Sequence, residues 1–410
     1  MIRMSRLEEL IAELCPDGVE FIPINNCVEK TKNIKWTDNN DAEFQYIDLT
    51  SVDRETHQIA EAQTINAENA PSRAQQIVQS GDVLLGTTRP MLKRYCLIGD
   101  EFNNQICSTG FCVLRANENI ALQKWIYYQI ASTEFFTHVE KYQKGASYPA
   151  ISDAEVKSFR IPLPPLPVQR EIVRILDNFT ELTAELTAEL TAELTARKKQ
   201  YEYYRDELIR FNSNVPMVRL GEISTAMYRG SGIKRNEVTN DGIPCVRYGE
   251  IYTTYNVWFD TCVSHTHMGS KTFEHGDILF AITGESVEDI AKSCAYVGHE
   301  KCYAGGDIVV MKHNQNPKFI AYALSTVEAQ IQKSKGKVKS KVVHSSIPAL
   351  KEIQIPVPPL EEQERIVAIL DRFDTLTNDL SSGLPAEIEA RRKQYEYYRD
   401  KLLTFKEKSS

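Results

Sequence analysis

IPLPPLPVQREIVRILDNFT, residues 161–180, returns as IPVPPLEEQERIVAILDRFD at 355–374 with 12 of 20 positions identical, and the rest of the chain is organised around that return. A second stretch, RKKQYEYYRDELIRF (197–211), returns as RRKQYEYYRDKLLTF (391–405) with 11 of 15 identical. Both returns have the same offset, 194 residues, so the segments between them align without a gap. Leu182, Leu186, Leu190 and Leu194 then fall on Leu376, Leu380, Leu384 and Ile388. The stretches upstream, roughly 20–155 and 215–350, are similar in length and nearly unrelated in sequence. A few landmarks persist in them: Gly81-Asp82-Val83-Leu84 against Gly276-Asp277-Ile278-Leu279, and Cys107 against Cys302. The chain is a tandem duplication with two similar frames and two different faces. Two large copies are too few, and the period too long, for a solenoid.

The shared segment predicts a long helix. IPLPPLP (161–167) cannot be helical, because its prolines lack N–H donors and hold an extended path. From Val168 the apolar positions Ile172, Ile175, Phe179, Leu182, Leu186, Leu190, Leu194, Tyr201, Tyr204, Leu208 and Phe211 step by three, four and seven. Unbroken to Phe211, that helix has about 44 residues and is roughly 66 Å long at 1.5 Å per residue. So long a helix needs another to pack against. The second copy supplies it, with Ile366, Ile369, Phe373, Leu376 and Leu380 as pairing positions. Gly383 and Pro385 in SSGLP (381–385) predict an interruption or kink there. The low-complexity TELTAELTAELTAEL (180–194) is made of strong helix formers, so it reads as amphipathic helix with Leu inward and Glu outward.

Length and composition narrow the class. A chain of 410 residues exceeds one compact core, and 42% apolar with 25% charged residues excludes general disorder. No apolar run reaches the ~18 residues of a membrane span, and MIRMSRLEELIAELCPDG alternates charge and apolarity where a signal peptide would be continuously apolar. Nine cysteines without a CxxC pair predict reduced thiols and a cytoplasmic setting. A net charge of −8 gives no global attraction to nucleic acid or an anionic membrane, so any DNA contact must come from local basic patches.

The duplicated IPxPPLxxQxxIVxILDxF and RKxQYEYYRDxL segments, the TAEL units between them and the opening LEELIAELCPDGVEF together resemble the specificity subunit of type I restriction-modification systems. The chain looks most like the subgroup whose spacer helix carries TAEL repeats. The resemblance implies an α+β protein: two mixed α/β target recognition domains separated by two long antiparallel, coiled-coil helices in a pseudo-two-fold internal repeat. It implies an N-terminal helix at 1–16 completing the repeat and a first recognition domain at 17–157. A central spacer helix would follow at 158–213, a second recognition domain at 214–350 and a C-terminal spacer helix at 351–410. Each recognition domain would read one half of a split, asymmetric double-stranded DNA site. Methyltransferase (modification) and ATP-driven restriction subunits would assemble around the chain and hold S-adenosylmethionine, ATP and Mg, with no cofactor on this chain itself. The opening helix, Ser5–Leu14, would complete the pseudo-symmetry, because it precedes the first block as the spacer helix precedes the second. In this setting the TAEL count reads as a ruler. One unit changes helix length by about 6 Å and turns one end by roughly 40°.

Own chemistry is not visible in the sequence. An adenine methyltransferase would show an Asn/Asp-Pro-Pro-aromatic loop, yet Pro164-Pro165 and Pro358-Pro359 lie in the linkers between leucine and valine-rich stretches. A phosphate loop GxxxxGK[ST] is absent. Cys262, His265, His267 and His275 have no common zinc spacing and read as an ordinary loop, not a metal site. His57, His138 and His344 have no sequence-adjacent nucleophile. The chain reads as a non-enzyme.

Phosphate contacts set register and base-edge contacts set sequence. In KSKGKVKSK, Lys333, Lys335, Lys337, Lys339 and Lys341 alternate. On an extended segment they would share one face suited to phosphates; as a solvated loop they would do nothing. KYQKGASYPAIS (141–152) offers Lys141, Lys144, Ser147 and Tyr148 in the first block, with Gly145 and Pro149 marking a loop. After the first Gly-Asp strand, Thr87, Thr88, Arg89, Lys93 and Arg94 are candidates, Arg being the usual reader of guanine edges. After the second stand Thr283, Glu285, Ser286 and Lys292. Glu285 either accepts from a cytosine amino group or caps a plain hairpin turn. Trp125, Tyr127 and Tyr128 read as helix-packed core, and Trp258 with Phe259 as ambiguous. The rival to a DNA-specificity subunit is a coiled-coil protein–protein adaptor that never touches DNA; an autonomous DNA-modifying enzyme is the third reading.

Overall fold

The structure is a computed structural model describing residues 5–211, 214–287, 289–337, 342–378 and 383–408. Leu380, Lys339 and Lys341 lie outside the described residues. The chain divides into two compact units, 1–187 with 390–410, and 188–389.

In the first unit, Glu20–Pro23 and Arg160–Leu163 form an antiparallel ribbon that brings the start of the block to its end. Between them lie a four-stranded sheet, in the order Val28–Glu29, Phe111–Ala116, Val83–Gly86, Tyr95–Leu97, and a five-stranded one. The five strands run Lys32–Asn33, Ala74–Ile77, Ile106–Ser108, Phe44–Ile47, Gln63–Ile65. Helices Gln123–Ala131 and Thr133–Tyr142 bury Trp125, Ile126, Tyr128, Phe135 and Val139 against them, so the aromatic run read as core is core. The opening helix Arg6–Leu14 starts on Ser5, whose hydroxyl accepts from the Glu8 N–H while the Glu8 carboxylate accepts from Ser5 N–H.

The second unit repeats the plan with other residues. Met217–Arg219 pairs Gln354–Pro356. One five-stranded sheet runs Ser224–Arg229, Ile308–His313, Ile278–Ala281, Ser293–Tyr296, Trp258–Phe259. Another runs Val238–Thr239, Ser264–Thr266, Ile243–Val246, Cys302–Ala304, Thr272–Phe273. Helices Pro317–Leu324 and Val327–Ser334 follow as their counterparts do in the first unit.

The duplicated letters hold the same bonds twice. Asp177 accepts from Lys124 Nζ at 2.7 Å and Tyr128 Oη at 2.8 Å; Asp371 accepts from Lys318 Nζ and Tyr322 Oη, each at 2.7 Å. Gln169 accepts from Leu122 N–H and donates to the Pro164 carbonyl; Gln363 accepts from Asn316 N–H and donates to the Pro358 carbonyl. The Gly-Asp landmark is a turn with Gly81 at φ +87° and Gly276 at φ +92°. Beyond it the buried Asp82 is held by Arg115 and the buried Asp277 by Lys312.

The long helix spans Leu166–Ile209, 44 residues, and the second copy gives helices Leu360–Asn378 and Leu384–Leu403. In the first unit Phe179 meets the Tyr398 ring at 6.4 Å and Thr180 bonds the Tyr395 hydroxyl; in the second Tyr204 stacks on Phe373 at 5.8 Å. The start of one copy thus meets the end of the other, and its end meets the other's start, the order of an antiparallel pair.

Two expectations need correction. Of the predicted pairing positions, Ile172, Leu190 and Ile366 are buried. Ile175, Leu186, Leu194, Ile369 and Phe373 are half-buried, Phe179 and Leu376 lie more open, and Leu182 is 61% exposed. The core instead takes Val168, Val173 and Leu176, and likewise Val367 and Leu370. The cause is geometric: at 100° per residue a four-residue repeat drifts about 40° per step, so leucines at 182, 186, 190 and 194 cannot share one face. Second, the place held in the second unit by the end of the long helix is held in the first by the C-terminal segment, not by the opening helix. Asp206 accepts from Val327 N–H and Asp400 from Thr133 N–H, each at the first turn of the equivalent helix. Ile209 and Leu403 are buried at matching positions, and Phe405 packs on Trp125 at 6.3 Å.

Candidate nucleic-acid interface

In the first unit, two loops that lie some 50 residues apart in sequence are knitted together. Thr88 bridges Ala150, Lys144 and Ala150 exchange two backbone hydrogen bonds, and the Ile151 N–H donates to the Thr87 carbonyl at 2.9 Å. Pro149 accepts from the Arg89 N–H at 2.7 Å, which holds Arg89 at φ +49°. Its guanidinium lies over the Tyr148 ring, 4.3 Å from the centroid, and Tyr148 is 70% exposed. Lys93, at φ +53°, has its ammonium 5.1 Å from the Phe136 centroid, and Lys141 stands 5.2 Å from that of Tyr142. Arg89, Lys93, Lys141, Lys144, Ser147 and Tyr148 are all exposed, and among the described residues no ion pair neutralises any of these cations. Two candidates turn inward. The Thr87 hydroxyl donates to the Gly110 carbonyl at 2.8 Å in the interior, and the Arg94 guanidinium donates to the Leu49 carbonyl. They shape the loop and do not face a ligand.

The equivalent loops of the second unit are built alike but charged otherwise. Thr283–Gly284 pairs Val343–His344, and the Thr283 hydroxyl bonds His344 Nδ1 at 3.2 Å. Glu285 is exposed and Ser286 half-buried. Lys292 donates to the Tyr252 carbonyl at 3.1 Å, and its burial lowers its proton affinity. The alternating-lysine reading fails for Lys333. That residue ends a helix and is 5% exposed, donating to the Leu324 carbonyl at 2.7 Å and to Ser293 Oγ. Burial pulls its pKa down to about 7, so it is a buried structural amine, not a phosphate contact. Lys335 is exposed, and Lys337 donates to the His344 carbonyl at 2.6 Å.

Sequence reasoning missed a cleft of about 510 Å³ in the second unit, lined by Gly232, Arg235, Arg247, Tyr248, Gly305 and Asp307 among others. Its signal was RGSGIKR (229–235), three cations in seven residues around a glycine pair. Arg247 pairs Glu250 and Arg229 pairs Asp307, which leaves Arg235 as a cation with no ion pair among the described residues. The Cys262–His275 stretch does not converge: Cys262 Sγ lies 3.5 Å from Cys302 Sγ, His267 faces Asp241, and His275 faces the Val297 carbonyl. All nine cysteines are free thiols. His57 stacks on Tyr95 at 3.8 Å, and its burial lowers its pKa to about 4.

Two unlike mixed α/β blocks, each closed by the same ribbon, helix pair and carboxylate network, define a two-headed recognition chain. The family described as "Type I restriction modification DNA specificity domain" matches residues 16–196 and again 212–390. The chain belongs to that family, and within it is a non-catalytic DNA-specificity subunit. It is 35% identical over 307 residues to the EcoR124I/EcoR124II specificity subunit of Escherichia coli, covering 72% of this chain and 73% of the relative. A specificity subunit assigned to Haemophilus influenzae is 31% identical, covering 69% and 72%. A chain solved in work on complex assembly and conformational transition of the type I R-M system superposes with TM-score 0.74 at 25% identity, over 95% of this chain and 98% of that one. The HsdS subunit of Thermoanaerobacter tengcongensis superposes with TM-score 0.52 at 25% identity, over 95% and 97%. No helix among the described residues is long and apolar enough to cross a membrane.

Proposed function

We propose that this chain reads a bipartite, asymmetric double-stranded DNA site, one half with each block, and carries type I methyltransferase and restriction subunits to it. The reading blocks are 17–157 and 214–350, with 158–213 and 351–410 as spacer and 1–16 as an accessory helix. S-adenosylmethionine, ATP and Mg belong to the partner subunits. Free thiols throughout support a cytoplasmic setting. The observation that carries this reading is the pairing of a frame bonded identically in both copies with two blocks whose loops differ in charge. A repeated frame bearing unlike surfaces suits two unlike half-sites. In the first unit Arg89, Lys93, Lys141 and Lys144 supply cations where phosphates would run. Within the long helix, each TAEL unit sets the gap between half-sites.

The discriminating experiment is retention of duplex DNA by the chain assembled with its modification subunits. Affinity should fall linearly in log–log with salt, at about 0.9 per phosphate neutralised. A protein–protein adaptor would retain no DNA at any ionic strength.

A further inference from the structure

We infer that Arg89 is a base-reading residue of the first unit, with its fork directed at one guanine of that half-site, and that Tyr148 is the positioning residue that restrains the fork. The inference rests on the DNA-reading assignment above and goes beyond it by naming a residue and a base. Four observations carry it. Arg89 occupies the left-handed region, φ +49°, which a non-glycine residue adopts at a cost, and it is locked there by its N–H on the Pro149 carbonyl. Its guanidinium carbon lies over an exposed tyrosine ring, 4.3 Å from the centroid, a cation–π contact that restrains where the fork can point. A guanine edge presents O6 and N7 side by side to such a fork. An arginine fork also grips a phosphate with two bonds, so the restrained fork alone does not choose between them, and the charge around it decides.

Third, charge for the backbone is already present around it: Lys141 in the last turn of the helix Thr133–Tyr142 and Lys144 just beyond it are exposed, and no carboxylate of the described residues pairs with Arg89 itself. Fourth, the duplicate lacks it. The Thr88–Ala150 bridge corresponds to the Thr283–His344 pair, which places Gly284 where Arg89 stands. A Cβ on Gly284 would meet the Tyr252 hydroxyl at 2.7 Å, so a side chain there would have to displace the Tyr252 ring. The guanine contact therefore belongs to one half-site only, and helps make the whole site asymmetric.

The test uses the full chain assembled with its modification subunits, binding duplexes in which each base pair of the methylated motif is changed in turn. Arg89→Lys keeps the charge and loses the fork. It should lose discrimination at a single G·C pair of one half-site, by roughly 5- to 150-fold, with the other half-site and the salt slope unchanged. Tyr148→Ala should weaken discrimination at that same pair to a smaller extent. Wild-type discrimination at every position in Arg89→Lys overturns the inference, as does a uniform loss across all sequences, which would mark a phosphate contact. If Arg89→Ala binds no duplex even at low salt, Arg89 holds the loop and does not read a base, and the inference again falls. Absence of any DNA binding by the wild-type complex would instead sink the functional reading itself.

Discussion

Asp177 and Asp371 show why particular letters repeat. Each takes a lysine ammonium and a tyrosine hydroxyl from the first helix of the pair that packs on the frame, so each copy docks its block with the same three residues. Neither bond was legible in advance, because Lys124 and Tyr128 sit in a stretch that looked like plain core, and Lys318 and Tyr322 match them only through the register. The candidate contacts divide by what surrounds them. Arg89 and Tyr148 were named on residue type and are brought together. Lys333 was named on alternation and is buried, since a helix C-terminus uses its ammonium. At this scale two buried histidines, His57 and His313, are acid-sensitive, and His313 gives the prediction. His313 Nδ1 accepts from the Gln315 N–H at 3.1 Å and burial lowers its pKa from 6.5 to about 4. Folded protein therefore binds fewer protons than unfolded between those values, so the stability His313 contributes is present above pH 6.5 and lost as pH falls toward 4. Comparing His313→Gln with wild type by chemical denaturation should show a shallower acid decline in the variant, by up to about 3 kcal/mol across that window. Parallel declines would contradict it.

Among the elements, the long helix was readable to within two residues at each end; of the expected interruption at 381–385, residues 381 and 382 lie outside the described residues, and a helix starts at Leu384, directly after Gly383. TAEL units and the tyrosine-rich arms carry strong local preferences; of the proline linker expected to stay extended, Leu166 and Pro167 already belong to the helix, whose first turn tolerates a proline. What periodicity misjudged was facing. A repeat of four in a helix of 3.6 residues per turn walks around the axis, so Leu190 is buried while Leu182 is exposed. The short strands of both blocks were not read from sequence, because most have two to four residues and derive from pairing with partners as distant as Glu20 and Leu163. Deleting Thr183–Leu186 removes about 6 Å of helix and roughly 40° of rotation. The methylated motif should then keep both half-sites and shorten only its central gap. New half-sites around an unchanged gap would be incompatible with a spacer role.

For the molecule as a whole, the second copy's end returns to the first block: Lys408 N–H donates to the Val19 carbonyl, Val19 N–H to the Lys406 carbonyl, and Arg160 pairs Glu407 at 2.9 Å. The first unit is thus closed by a piece of the frame distant in sequence, where the second uses the end of the long helix that directly precedes its block. The duplicated offset announced two equivalent frames, but not that the C-terminal segment, rather than the opening helix, would complete the first. That exchange depends on chain closure, which has no local signature. The central claim is that this frame holds two different readers of one DNA duplex. Genome-wide mapping of methylated adenines after co-expression with the cognate modification subunit tests it most directly. The account predicts one motif made of two unlike defined parts separated by a fixed run of unspecified bases; a continuous motif, or a symmetric one, would contradict it.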